Sequence, residues 1–156
     1  VMELDSDGTT HKYIIFCQFH DEMALIRKHL LQEDLVKDEN ILFYNGSMNQ
    51  QERREVLERS KASTETTVML IQLQAGGVGL NLQEYDRIIF VSPWWTSALM
   101  DQAIARAVRM GQRKVVKVYH LHLEAEQEGI INIDTMVDAK AEEKRSMLKT
   151  LFAWCE

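Results

Sequence analysis

Only two cysteines, Cys17 and Cys155, occur in this 156-residue chain. They are too few for a disulfide framework and lack metal-ligand spacing, so a reducing compartment is expected. No apolar run approaches the roughly 20 residues that a membrane-spanning helix needs, so no membrane partner is expected. No secretory signal is visible. The chain opens on Val1 rather than an initiator Met, and is read as a piece of something larger. Internal repeats and low-complexity segments are absent. Cations are in the minority: 18 Lys and Arg face 24 Asp and Glu, for a net charge of -6. That argues against a free-standing module that grips nucleic acid by charge alone.

What is present is a globular composition. Apolar residues make up 46% and charged residues 27%, enough for one domain with a real core. The charge is uneven. Arg106, Arg109, Arg113, Lys114 and Lys117 form a basic stretch, and Glu124, Glu126, Glu128, Asp134 and Asp138 make the following segment acidic.

Short apolar runs rich in β-formers predict five strands: Lys12 to Cys17, Ile41 to Tyr44, Thr67 to Ile71, Arg87 to Val91 and Val115 to Leu123. Helical spacing predicts a helix over Asp21 to Gln32. A second follows a capping box at Asn49-x-x-Glu52 and runs to about Lys61. A third spans Asp101 to Gln112, capped by Thr96 or Ser97, and a last one runs from about Asp134 to the end. Residues 1–11 read as a loop or frayed leader, 12–123 as the domain, and 124–156 as a linker and final helix. Alternating strand and helix mean an α/β fold, with a mostly parallel sheet and helices on both faces. Continuous apolar strands fit burial on both sides. Ligands in such folds gather beyond the carboxyl ends of the strands. Gln18-Phe19, Gly46-Ser47, Gln74 to Asn81 and Ser92 to Trp95 are expected there.

On the third helix Gln102, Arg106 and Arg109 stand at i, i+4 and i+7, on one face. One amide and two permanent cations suit an anion with many oxygens, such as a nucleotide phosphate. The glycines of Gln74-Ala75-Gly76-Gly77-Val78-Gly79-Leu80-Asn81-Leu82 permit a tight turn and close backbone approach. No Lys-Ser/Thr follows them, so this is not a Walker A loop, and the third spaced glycine of a dinucleotide fingerprint is missing. His120 and His122 read as strand-face packing, Trp94 and Trp95 as packing at the edge of the domain, and the methionines as core filler.

Several motifs occur in a set order: Ile15-Phe16-Cys17-Gln18-Phe19; Tyr44-Asn45-Gly46-Ser47 with Glu52-Arg53; Gln74 to Leu82; Pro93-Trp94-Trp95; and Asp101-Gln102-Ala103 to Gly111-Gln112. In that order the chain resembles the second RecA-like lobe of the Swi/Snf-type ATPases, the double-strand DNA translocases of helicase superfamily two. The resemblance covers about Lys12 to Leu123. It continues into a C-terminal brace helix through Ile133-Asp134, Met136 and Lys144-Arg145.

The resemblance implies a RecA-like three-layer sandwich and half of an ATP site closed by the N-terminal lobe of the same protein. Arg106 and Arg109 would be catalytic, reaching the phosphates, with Arg109 as the arginine finger. Gly77, Gly79, Asn81 and Gln102 would contact the nucleotide. Gln18, Phe19, Gly46, Ser47 and Gln74 would line a track for double-stranded DNA, where hydroxyls, amides and N–H groups bind phosphates without reading sequence. ATP and Mg²⁺ would be held mainly by the other lobe, and no metal ligand is assigned in this chain. Three departures stand out. Leu73 replaces the usual small hydroxyl residue, with Gln72 before it and Gln74 after, Val108 replaces a common histidine, and Ala105 stands in place of a glycine. Because a Walker A loop and an acidic Mg²⁺ motif are absent, this chain alone is expected to be inactive. In the whole protein the resemblance implies an ATP-driven translocase that remodels nucleosomes or other protein–DNA complexes. The nucleus is the expected compartment, with cytoplasm or a viral factory as alternatives. A strand-separating RNA or DNA helicase lobe and a non-catalytic scaffold lobe are the competing readings.

Overall fold

A computed structural model describes residues 9–72, 80–92, 97–108, 112–121 and 133–153. Five strands form one sheet: β1 (Lys12–Cys17), β2 (Ile41–Tyr44), β3 (Thr67–Gln72), β4 (Arg87–Phe90) and β5 (Lys117–His120). Their order is β2-β3-β1-β4-β5, and every neighbouring pair is parallel. The helices are α1 (His20–Gln32), α2 (Gln50–Ala62), α3 (Ser97–Ala107) and α4 (Ile133–Ala153), with a short 3-10 turn at Asp38–Asn40.

Side chains alternate across the pleat and build two cores. Ile14, Phe16, Met69, Ile71, Ile88 and Phe90 face α2 and α3, meeting Val56, Leu57, Ala103 and Ile104. Tyr13, Ile15, Cys17, Val68, Leu70 and Ile89 face the other way, toward Met23, Ile26 and Leu30 of α1. This is the expected three-layer α/β sandwich. β1, β3 and β4 are buried on both sides. β5 departs from that expectation. It is shorter than predicted, lies at the sheet edge, and exposes Lys117 and His120. Val115, predicted to open it, is 80% exposed. His120 packs on the sheet face as expected: its ring stacks on Phe90 at 5.1 Å, and Phe90 stacks on Phe16 at 5.0 Å. The methionines split. Met23 and Met69 are core residues, whereas Met136 and Met147 of α4 are exposed.

The leader is not wholly frayed. His11 is buried and Nδ1 lies 2.6 Å from Oδ2 of the buried Asp86. Arg87 reaches His11 Nε2 at 3.1 Å and Asp86 Oδ2 at 3.1 Å, while the Lys12 N–H donates to Asp86 Oδ1 at 3.0 Å. A guanidinium can only donate, so Nε2 accepts and Nδ1–H points at Asp86. The buried carboxylate is therefore paired and hydrogen-bonded, the condition for a charge to persist in an interior. This knot ties the start of β1 to the start of β4, and the Lys117 N–H adds β5 by donating to the Asp86 carbonyl at 3.0 Å.

Candidate functional site

The residues singled out by sequence separate into two groups at different ends of the sheet. The first lies at the carboxyl edge. Because β3 sits between β2 and β1, the residue ending β3 can reach the loops that follow both neighbours. That residue is Gln72. Its Oε1 accepts from the Gly46 N–H at 3.3 Å, and its Nε2 lies 3.5 Å from the Gln18 carbonyl. Sequence reasoning noted Gln72 only as an oddity beside Leu73, yet it bridges two segments of the expected DNA track. Arg53 supports the same loop from below. Its Nη2 donates to the Asn45 and Gly46 carbonyls, both at 3.3 Å, and its guanidinium lies 5.3 Å from the Tyr44 ring centroid.

The N–H groups at this edge already have internal partners. Glu22 Oε2 accepts from Gln18 N at 2.7 Å and Phe19 N at 3.1 Å. That contact starts α1, since Phe19 has no side-chain acceptor for the cap position. Glu22 Oε1 also accepts from Ser92 Oγ at 3.3 Å. Asn45 Oδ1 accepts from the Ser47 N–H at 3.1 Å and the Ser47 hydroxyl at 2.7 Å. Phe19 is 64% exposed, and Ser47 borders a cleft of about 410 Å³ with Glu52 and Glu55 on its wall. A phosphate arriving here meets side chains, or must exchange with these internal bonds. Gln74 lies outside the described residues.

The second group sits on α3. This helix leaves the carboxyl end of β4 and runs back toward the amino end of β5, so its last turn points away from the first group. The expectation that all the unusual residues gather at the carboxyl edge is thereby corrected for the segment around Asn81. Leu82, beside Asn81, donates its N–H to the Arg106 carbonyl at 3.3 Å. Gln102 is exposed and Arg106, one turn on, is half-buried. Arg106 also suits the negative end of the helix dipole. Asn81 is exposed, and its Oδ1 accepts from the Gln83 N–H at 3.3 Å.

The helix predicted to reach Gln112 ends at Ala107. The Val108 N–H still donates to the Ile104 carbonyl at 2.9 Å, and residues 109–111 lie outside the described residues. Arg109, Gly77 and Gly79 lie outside the described residues. Gln102 and Arg106 stand one turn apart on α3, and the Arg106 backbone adjoins the Asn81–Leu82 segment. That set fits phosphate or ribose oxygens. Among the described residues, no group of three or more His, Cys, Asp or Glu is placed to hold a metal ion. Within the basic stretch, Lys114 turns to the Thr10 carbonyl at 3.1 Å and lies 3.8 Å from Asp86.

Comparison with known proteins agrees with this architecture. The family described as helicase conserved C-terminal domain matches residues 1–111. DNA repair protein RAD5 of Candida albicans is 36% identical over 125 residues, covering 78% of this chain and 11% of the relative. TATA-binding protein-associated factor mot1 of Schizosaccharomyces pombe is 37% identical over 111 residues, covering 71% of this chain and 6% of the relative. The chain thus spans about a tenth or less of the length of these relatives. The crystal structure of the C-terminal part of the Fun30 ATPase domain shares the fold, with a TM-score of 0.71 and 22% identity over 84% of this chain and 39% of that one. The ordered motifs, the parallel five-stranded sheet and these relatives converge: the chain belongs to the helicase conserved C-terminal domain family, as the second RecA-like lobe of a Swi/Snf-type ATPase.

Proposed function

We propose that this lobe is one half of an ATP-driven motor that moves along double-stranded DNA. The observation that carries the reading is the anchored end of α3. Arg106 sits at its last turn with its backbone tied to the Asn81–Leu82 segment and with Gln102 one turn before it. That bond fixes the backbone from which the Arg106 side chain projects, so less must be ordered when an anion arrives. ATP bound between the two lobes would supply the phosphoanhydride and, with Mg²⁺, part of the charge neutralisation. Arg106 and Arg109 would bind phosphate oxygens from this side, with Arg109 meeting the charge that develops as the γ-phosphoryl departs. Asn81 and Gln102 would orient the nucleotide, and Gly77 and Gly79 would let the backbone come close. Gln18, Phe19, Gly46, Ser47 and Gln74 would line the DNA track, Gln18 and Ser47 through their side chains.

In the whole protein, closure of the lobes on nucleotide and reopening after hydrolysis would step the motor along one strand and remodel nucleosomes or other DNA-bound proteins. Similarity to a DNA repair protein and to a TATA-binding protein-associated factor supports DNA as the partner and the nucleus as the compartment.

The test is substitution in the full-length protein. Arg109→Ala should lower ATP turnover by about 10³-fold or more, and Arg106→Ala should lower it as well, both with duplex DNA binding largely kept. Unchanged turnover in both variants removes the mechanism. Strand separation by the native protein, in place of translocation on intact duplex, would assign the lobe to a helicase instead.

A further inference from the structure

We infer that Gln112 is a positioning residue that holds the Asn81–Arg106 corner of the nucleotide site. It lies beyond the end of α3 and directs its whole amide inward. Nε2 donates to the Gln83 carbonyl at 2.8 Å and to the Tyr85 carbonyl at 3.0 Å. Oε1 accepts from the Lys114 N–H at 2.9 Å. The orientation of the amide is forced, because two carbonyls can only accept and a backbone N–H can only donate. With these bonds made, both amide hydrogens are used within the lobe.

The turn that Gln112 grips leads directly to the site. It is closed by the Tyr85 N–H donating to the Leu82 carbonyl at 3.0 Å. The Leu82 N–H donates to the Arg106 carbonyl, and the Gln83 N–H donates to Asn81 Oδ1. A continuous set of hydrogen bonds thus runs from the Gln112 side chain to the backbone of Arg106 and the side chain of Asn81. Tyr85, which closes the turn, is fully buried, and its hydroxyl meets Ser60 Oγ and Met69 Sδ. The turn therefore has a rigid floor, and Gln112 fixes its carbonyl side. Loss of the amide would leave two carbonyls without their donor and release the strap that seats Arg106 and Asn81, with no nucleotide contact removed.

This inference rests on Arg106 acting on the nucleotide, and the experiment separates the two. In the full-length protein, turnover is measured for the native sequence, Gln112→Ala, Arg106→Ala and the double variant, by single-turnover hydrolysis of radiolabelled ATP so that residual rates stay readable. Gln112→Ala should lower the rate by about tenfold to a hundredfold, the scale expected for a misplaced catalytic group. On the Arg106→Ala background the same change should have little further effect. An equal loss on both backgrounds means Gln112 does not act through Arg106, and the inference is overturned. If Arg106→Ala alone leaves turnover unchanged, the reading beneath it fails instead. Duplex DNA affinity should be unchanged in Gln112→Ala, whereas general unfolding would lower it. Should that variant melt below the assay temperature, Gln112→Met keeps the side-chain volume and takes its place in the cycle.

Discussion

Cys17 is 1% exposed, in the core layer under α1. Burial, with the nearby Glu22 carboxylate, pushes its thiol up to about 12. Burial likewise raises the Tyr85 phenol, against the opposing hydrogen bond from Ser60. The unfolded chain releases the thiol proton at its ordinary value while the folded chain retains it. The stability contributed is therefore complete below the unfolded value and is lost as pH rises toward the folded one. The urea midpoint should fall steadily between about pH 9 and about pH 11. Native Cys17 should resist iodoacetamide at about pH 8, as read by peptide mass spectrometry, and react only on unfolding. Rapid labelling of Cys17 in the folded chain would contradict this. Which residues to propose was legible from sequence, where Gln18, Ser47 and Arg106 stand out by their motifs. Their existing bonds were not. Glu22 holds the Gln18 and Phe19 N–H groups from only four and three residues away, a local contact that Phe19, no usual cap residue, does not announce. That Gln72 spans two loops depends on which strands are neighbours, and no local pattern encodes that.

Helix boundaries show where local pattern succeeds and fails. Asn49-x-x-Glu52 predicted a capping box, and Asn49 Oδ1 accepts from the Gln51 and Glu52 N–H groups, both at 2.9 Å, while Glu52 reaches back to the Asn49 N–H at 2.7 Å. Such a box is decided within four residues and is readable for that reason. The end of α3 is different: the helix is described over Ser97–Ala107 and Val108 already leaves it, although its sequence pattern runs on. The same distinction sets an expected difference in stability. Asn49→Ala should cost about 1 kcal/mol. Arg145→Ala removes the 3.3 Å pair with Asp101 that joins α4 to α3, where both side chains are well exposed, and should cost under about 0.5 kcal/mol. Urea titration of the two variants checks both, and a larger loss from Arg145→Ala than from Asn49→Ala would reverse the ranking.

For the molecule as a whole, alternation in the sequence announced a parallel α/β fold, and the structure has it. The strand order β2-β3-β1-β4-β5 was not announced, nor was the separation of the two candidate groups, because both are set by long-range pairing. The chain holds its arginines but has no phosphate-binding loop, so by itself it should turn over no ATP above background, with or without duplex DNA. A phosphate-release assay on this chain and on the full-length protein decides it. Robust magnesium-dependent turnover by the 156-residue chain would refute the division of labour between lobes.

The separation has a mechanical consequence. Gln18, Gly46 and Gln72 stand at one end of the strands, while the Arg106 corner and the Asp86 knot stand toward the other. Tension between those ends is directed along the strand axes. Six registered pairs between β1 and β3 and four between β1 and β4 would share that load in shear, all at once. Pulling across the sheet would instead peel strands apart a few bonds at a time. The sheet is therefore stiff along its strands and more compliant across them.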